Sequence, residues 1–317
     1  MQTKDSMVTG FAQRILNEVR SVVVGKDQVL LWVLAAILAQ GHILLEDIPG
    51  VGKTTMALAF SKVLDLSYSR VQFTPDVLPS DVTGYSVPDQ QTGQLHYQPG
   101  AVLCNLFLAD ELNRATSRTQ SALLEAMEEG QVTVDGVSYR LPDPFIVIAT
   151  QNPAGAAGTQ LLPDSQMDRF AIRMSLGYPN LEDEKAMVMN RLEKNPLEDM
   201  QPAGNSQTLT EMRKEVEKTY IHEAVVDYIV RLVDATRRDP NLLRGASPRV
   251  TLSLTAMSKA MAQLKGRDYV VPEDVQDVFV KTTAHRVLLT PKAESLGVTA
   301  DTVLGNLLGR IAAPNTR

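Results

Sequence analysis

Lys53 closes a glycine-rich turn and opens a pair of threonines in the run Pro49-Gly50-Val51-Gly52-Lys53-Thr54-Thr55. A turn of this kind between a strand and a helix aims backbone N–H groups and the positive end of a helix dipole at one point, where a phosphate is bound. Lys53 adds a mobile cation, and the Thr54 hydroxyl is the expected ligand of a Mg²⁺ ion that travels with a nucleotide. The complete pattern has glycine six residues before the lysine, and here that position is Asp47. A carboxylate pointed at phosphates would repel them. Asp47 is therefore expected to turn its side chain away while its backbone shapes the loop.

Two acids complete the chemistry that such a loop begins. Leu106-Phe107-Leu108-Ala109-Asp110-Glu111 reads as an apolar strand running into Asp110 and Glu111. Strands that are apolar on both faces belong to parallel sheets covered on both sides, and ligands bind at the carboxyl ends of those strands. Asp110 would then hold the metal through water while Glu111 polarises the attacking water. A third apolar run, Phe145 to Thr150, ends in Gln151-Asn152-Pro153, and the Asn152 amide is placed to orient that water. Alone, Asn before Pro signals only a turn.

The elements that must position these groups follow from periodicity. Strands are expected at about 42–46, 69–73, 105–109, 145–150 and 171–175. Helices between them give a parallel α/β sandwich. An amphipathic helix over 5–20 and a buried one over 27–40 precede it. Tyr85–Tyr97 alternates around a Thr-Gly turn, and Gln131–Leu141 alternates around Asp135-Gly136, a pair suited to a type I′ hairpin. Beyond Tyr178-Pro179 the pattern turns helical. A loop over 195–207 leads to helices at 209–218, 222–238, 248–264, 272–289 and about 300–311, with Thr208 and Glu211 as a capping box. Tyr220, Val226 and Tyr228 are expected in the core of this helical part. The organisation is thus an α/β nucleotide-binding domain over 1–178 and a smaller all-α lid over 179–317.

The stretches GHILLEDIPGVGKTT, FLADELNRATSRTQSALLEAMEEGQVTVDG, FIVIATQNP, LLPDSQMDRF and GASPRV resemble AAA+ ATPases, and more narrowly the MoxR family. The likeness extends from about residue 24 to residue 250 and includes the Asp at Asp47. It implies an AAA+ sandwich with a strand between the P-loop strand and the strand of Asp110, followed by a helical lid. By resemblance, Pro49, Gly50, Val51, Gly52, Lys53, Thr54 and Thr55 carry the ATP phosphates, and Val24 with Gly25 cradles adenine. Asp110 and Glu111 are Walker B, with Thr54 and Asp110 at the Mg²⁺; Asn152 is sensor 1. Arg169 matches the arginine finger that reaches a neighbouring subunit's ATP, and Arg249 matches sensor 2 on the subunit's own ATP. Arg114 is a second candidate for the subunit contact. The two alternating segments resemble the family's helix-2 insert and the hairpin before sensor 1, which tend to face a pore or partners.

One part of this has independent physical support. Ser247 suits an N-cap and Pro248 a first helical position, which places Arg249 in a first turn. A cation there opposes the helix dipole, so an anion is expected beside it.

The implied activity is a Mg²⁺-dependent ATPase working as a homo-oligomeric ring, expected to be a hexamer, which remodels, matures or inserts metal into partner proteins. The implied partner is a von Willebrand factor A domain protein. Two alternatives stand beside it: a DNA-acting AAA+ motor, and a nucleotide-gated scaffold with little turnover. Basic residues at the hairpin tips would favour the first, and Gln90, Gln91, Asp135 and Gly136 stand there instead. A net charge of −6 also argues against a nucleic-acid partner. Glu111 argues against the second alternative.

Composition agrees with this reading. At 317 residues, 44% hydrophobic and 21% charged, the chain suits one large domain with a smaller one. The longest apolar run, Leu30–Ala39, is too short to span a bilayer, and no signal peptide is expected. The single cysteine, Cys104, forms no internal disulfide and fits a reducing cytoplasm. His42, His96, His222 and His285 show no zinc-ligand spacing and read as structural.

Overall fold

The computed structural model describes residues 7–90, 93–152, 162–193 and 195–315. The start of the first expected helix, Gln91 and Thr92 of the first hairpin tip, and Pro153 lie outside the described residues. Two helices, α1 (Met7–Val22) and α2 (Asp27–Leu38), lead into strand β1 (His42–Glu46). Next come α3 (Lys53–Val63), β2 (Tyr68–Gln72), α4 (Pro79–Thr83), β3 (Gly84–Pro88), β4 (Leu95–Pro99), β5 (Leu106–Asp110) and α5 (Ser117–Glu129). After β6 (Gln131–Val134), β7 (Val137–Arg140), β8 (Ile146–Gln151), α6 (Asp164–Met167) and β9 (Phe170–Met174), the chain is mostly helical.

Strands β2, β5, β8, β1 and β9 form one sheet in that order, every neighbouring pair parallel. This is the expected α/β sandwich, with β8 between the P-loop strand β1 and the acid-bearing strand β5. Its central strands are buried along almost their whole length, β5 and β8 completely, which is why their sequences are unbroken apolar runs. The expected strands fall within one residue of those observed.

Both alternating segments are antiparallel hairpins, β3–β4 and β6–β7. In the second, Val134 pairs with Val137 and leaves a two-residue turn, Asp135 and Gly136, at φ of 50° and 79°. Two positive φ angles are what a type I′ turn requires. Tyr97 of one hairpin stacks on Tyr139 of the other, ring centroids 3.8 Å apart, and locks the pair together.

The helical part comprises α7 (Leu181–Glu193), α8 (Pro196–Asp199), α9 (Ser206–Glu217), α10 (Glu223–Arg238), α11 (Pro248–Leu264), α12 (Pro272–Thr283), α13 (Pro291–Ser295) and α14 (Ala300–Arg310). Several expectations need correction here. The 195–207 loop contains the one-turn α8, started by Asn195 and Pro196. Helix α9 is capped by Asn205, whose side chain accepts from the Thr208 amide at 2.9 Å, so Thr208 and Glu211 form no capping box. Asn205 is an equally good cap that comes earlier in the chain. Helix α12 stops at Thr283 instead of running to 289. Its Thr282-Thr283 end is β-branched, and Leu288–Leu289 (β11) pairs with Leu242–Arg244 (β10) across the lid. Tyr228 is fully buried as expected, but Val226 is exposed, because α10 buries Val225, Tyr228, Ile229, Leu232 and Val233, and Tyr220, which precedes that helix in a bridge with Tyr269, is exposed as well.

One continuous core joins the two parts: Leu30, Leu34 and Ile37 of α2 belong to the same buried cluster as Met212, Leu254, Met257 and Phe279 of the lid. A second core on the other face of the sheet packs α5 against β5 and β8. Among the described residues, no helix is long and apolar enough to cross a membrane.

Candidate active site

Lys53, Thr54, Asp110, Glu111 and Asn152 gather at the carboxyl ends of β1, β5 and β8. Between β1 and α3 the chain turns at Gly50 and Gly52, with φ of 88° and 98°, a conformation that strains any residue with a Cβ. No side chain caps α3, so its first-turn N–H groups face the turn. Lys53 Nζ donates to the Asp47 and Ile48 carbonyls at 2.7 and 3.1 Å, holding the loop closed. Burial lowers the Lys53 pKa, and the carboxylates of Asp47, Asp110 and Glu111 work against that shift.

The Asp47 side chain does turn away. Its carboxylate accepts from Ser175 Oγ and the Leu176 amide, each at 2.6 Å, and from the Gly177 amide at 3.2 Å. Three donors just past β9 hold the negative charge on the side away from the glycine turn.

Beside the loop, a cavity of about 340 Å³ is lined by Lys53, Thr54 and Thr55 on one wall and Arg70, Gln72, Asp110 and Glu111 on the other. Asp110 accepts a 2.6 Å hydrogen bond from Thr150 Oγ1, which in turn accepts from the Glu111 amide at 2.8 Å. Glu111 sits at φ 56°, a left-handed conformation costly for this residue and concentrated at functional sites. The Asn152 amide donates to Glu111 Oε1 at 3.2 Å, and Arg114 Nη1 donates to Oε2 at 2.9 Å. Asn113 pairs with the Asn152 backbone at 3.3 and 3.4 Å and fixes the side chain that reaches Glu111. Burial alone would raise the Glu111 pKa. Hydrogen bonds from Arg114 and Asn152 outweigh it and hold the group below its ordinary value.

A second cavity of about 330 Å³ shares Pro49, Gly50, Gly52 and Thr55 with the first and extends past Val51 and Val24 to Glu184, Met187 and Arg191 of α7. It is the mostly apolar continuation that a base needs. Gly25 does not line it; it sits beside the Asp183 carboxylate at the start of α7, at φ 72°, a left-handed conformation that favours glycine.

Arg169 and Arg249 are elsewhere. Arg169 immediately precedes β9, at the amino end of the sheet, and donates to the Leu124 carbonyl at 3.0 Å and to Glu128. Arg249 donates to the other Glu128 oxygen at 2.8 Å. The neighbouring Met127 carbonyl bonds to His42, the first residue of β1. One strand length, roughly 13–16 Å, separates this end of the sheet from the P-loop end. The expectation that Arg249 joins Lys53 and Thr54 on the nucleotide of its own subunit is therefore not met. The anion expected beside it is supplied here by Glu128, with Asp168 at 3.9 Å. Ser247 occupies the N-cap position, but its hydroxyl donates to Asp168 rather than capping. Arg114, the other candidate for a subunit contact, is bound to Glu111 of its own chain.

Sequence reasoning missed Arg70, which donates to Asp110 Oδ2 at 2.7 Å, and Gln72, the register partner of Asp110. Their spacing of two along β2 puts both on one face, a signal available once β2 is placed beside β5. The structural reading of the histidines fits. Partly buried His42 bridges Met127 and Val147, with a pKa lowered to about 4, chiefly by desolvation, and His222 caps α10.

The profile of the ATPase family associated with various cellular activities (AAA) matches residues 42–172, and that of the AAA lid domain matches residues 234–306. Chaperone MoxR1 of Mycobacterium tuberculosis is 37% identical over 95% of this chain and 82% of its own. The chain belongs to the MoxR family of AAA+ ATPases. An uncharacterized Bacillus subtilis protein, YeaC, is 41% identical over 96% of this chain and 95% of its own length. A solved structure from Cytophaga hutchinsonii superposes with a TM-score of 0.90 at 36% identity, covering 98% of this chain and 97% of that one. Membership in the MoxR family places the chain among ATPases and implies that it binds nucleotide.

Proposed function

We propose that the chain is a Mg²⁺-dependent ATPase that acts as a ring of identical subunits, a hexamer in this reading, and remodels or matures a partner protein. The observation that carries it is the division of the machinery: Lys53, Thr54, Asp110, Glu111 and Asn152 gather at one end of the sheet, while Arg169 and Arg249 stand together at the other. A cation pair so far from its own P-loop serves a phosphate only on a second copy. Two arginines per subunit would thus face the nucleotide of the next, Arg249 joining Arg169.

In this mechanism, the α3 N-terminus and Lys53 bind the phosphates. Val24 lines the base pocket, and Gly25 makes the left-handed turn beside it. Thr54 and Asp110 are the oxygen donors that would hold Mg²⁺, which supplies charge neutralisation on the phosphates; two hard oxygens beside a phosphate loop fit that ion. Glu111 takes the proton from the attacking water, and Asn152 orients both. Arg169 and Arg249 of the neighbour stabilise charge developing on the terminal phosphate.

The work done on a partner follows from the helical part, taken as a lid from 179 onward, moving against the sandwich of 1–178. We assign the partner to the von Willebrand factor A domain class and the cell compartment to the cytoplasm. A single cysteine, Cys104, which cannot form an internal disulfide, is consistent with a reducing setting. The chaperone-like reading is supported by the relatives named Chaperone MoxR1 and Protein MoxR.

The test is complementation. Glu111→Gln and Arg169→Ala, each alone, should lose roughly 10²-fold or more of turnover. Mixed subunits should recover part of it, because an Arg169→Ala site can receive an intact arginine from a Glu111→Gln neighbour. No recovery at any ratio, with both variants assembled, removes the shared site.

A further inference from the structure

Arg286 is an almost completely buried arginine in the lid, in the one-turn segment after α12, with its side chain 2% exposed. It reaches the two residues on either side of Arg169, one by a hydrogen bond and one by an ion pair. Nη2 donates to the Phe170 carbonyl at 2.6 Å, just after Arg169, and Nε lies 3.4 Å from Asp168 Oδ1, just before it. His285 adds a second contact to the same carbonyl, Nε2 to Phe170 O at 2.8 Å. Burial holds the imidazole neutral, so Nε2–H is the donor and Nδ1 is left without a partner. Asp168 also accepts from Ser247, two residues before Arg249. Neither Nε nor Nη1 of Arg286 has a hydrogen-bond partner, although the cavity of about 310 Å³ that Arg286 lines also contains Arg169, Arg249, Glu128 and Asp168.

Burying a guanidinium with an unsatisfied N–H is costly, and a hydrophobic residue would fill the same space without that cost. What the arginine uniquely provides is a rigid planar cation that touches the chain on both sides of Arg169 from the other half of the molecule, through a hydrogen bond to the Phe170 carbonyl and an ion pair with Asp168. We propose that Arg286 is a positioning residue: through Asp168 and Phe170 it sets the aim of Arg169, and through Asp168 and Ser247 that of Arg249, so that movement of the lid is felt at the neighbour's nucleotide. This rests on the reading that Arg169 acts on a second copy.

The experiment uses the full-length assembled chain. Arg286→Gln should lower kcat by about tenfold or more with KM for ATP nearly unchanged, since binding is done at the other end of the sheet. Arg286→Lys, which keeps the charge but not the planar group, should recover only part. Mixed with Glu111→Gln subunits, Arg286→Gln should be rescued as Arg169→Ala is. Mixed with Arg169→Ala, it should not be, because both lack the same donated group. The double variant should be no slower than Arg169→Ala alone. Full turnover of Arg286→Gln, or its rescue by Arg169→Ala, overturns the proposal. If Arg286→Gln does not fold, the half-buried Asp168→Asn must show the same complementation pattern, and a different pattern overturns it equally. Failure of the control pair, Glu111→Gln with Arg169→Ala, instead sinks the shared-site reading, and the double variant still decides the role of Arg286.

Discussion

Glu111 illustrates how a single group is tuned by its neighbours. As a base it must be ionised, and Arg114 with Asn152 keeps it so against the pull of burial. A folded pKa below the unfolded one adds stability above the unfolded value, which is lost as pH falls through the folded value. Turnover should therefore stay flat from about pH 7 to about pH 5, a window in which an unshifted carboxyl would begin to titrate. Arg114→Ala removes the strongest opposing contact, so its acid limb should move to higher pH in a kcat/KM profile. A limb that does not move would show that Arg114 leaves the base untouched. The residues found only by structure at this scale, Arg70, Gln72 and Thr150, are ordinary strand residues in the sequence, and only the register of β2, β5 and β8 brings them to Asp110.

Between elements, the P-loop is fastened to the end of β9 by Asp47. Asp47→Asn turns one acceptor into a donor facing backbone N–H groups and should cost about 1–3 kcal/mol. It should also loosen nucleotide binding, which titration calorimetry would report; unchanged affinity would mean that the loop holds its shape without this tether. The departure from the usual glycine was visible in the sequence, as was the need for the carboxylate to turn away. The donors that receive it were not, since Ser175 and Leu176 lie well over a hundred residues along the chain. The hairpin at Asp135-Gly136 was legible because its turn is local chemistry, whereas the end of α12 was not, because β11 exists only through pairing with β10.

For the whole molecule, the shared core matters most. Leu34 of α2 is fully buried in the cluster that also contains the lid residues Leu254 and Met257. Leu34→Ala should cost about 2–5 kcal/mol, and calorimetry should show sandwich and lid still unfolding in one transition. Two separated transitions would mean that the halves are independent. Activity per subunit should fall on dilution if each site needs a neighbour's arginines, and gel filtration across the same concentrations would show whether assembly falls with it.

The sequence by itself determined the local chemistry: a phosphate turn, two acids after an apolar strand, a type I′ hairpin, and strands whose ends fall within a residue of those expected. These are short-range properties, set by neighbours in the chain. Tertiary structure decided which of these parts meet. It put Arg249 with Arg169 on Glu128 instead of on the P-loop, and it brought Arg286 from the lid to the residues flanking Arg169. Those distances depend on how a parallel sheet separates its two ends and on how the lid packs against it, and spacing along the chain has no information about either.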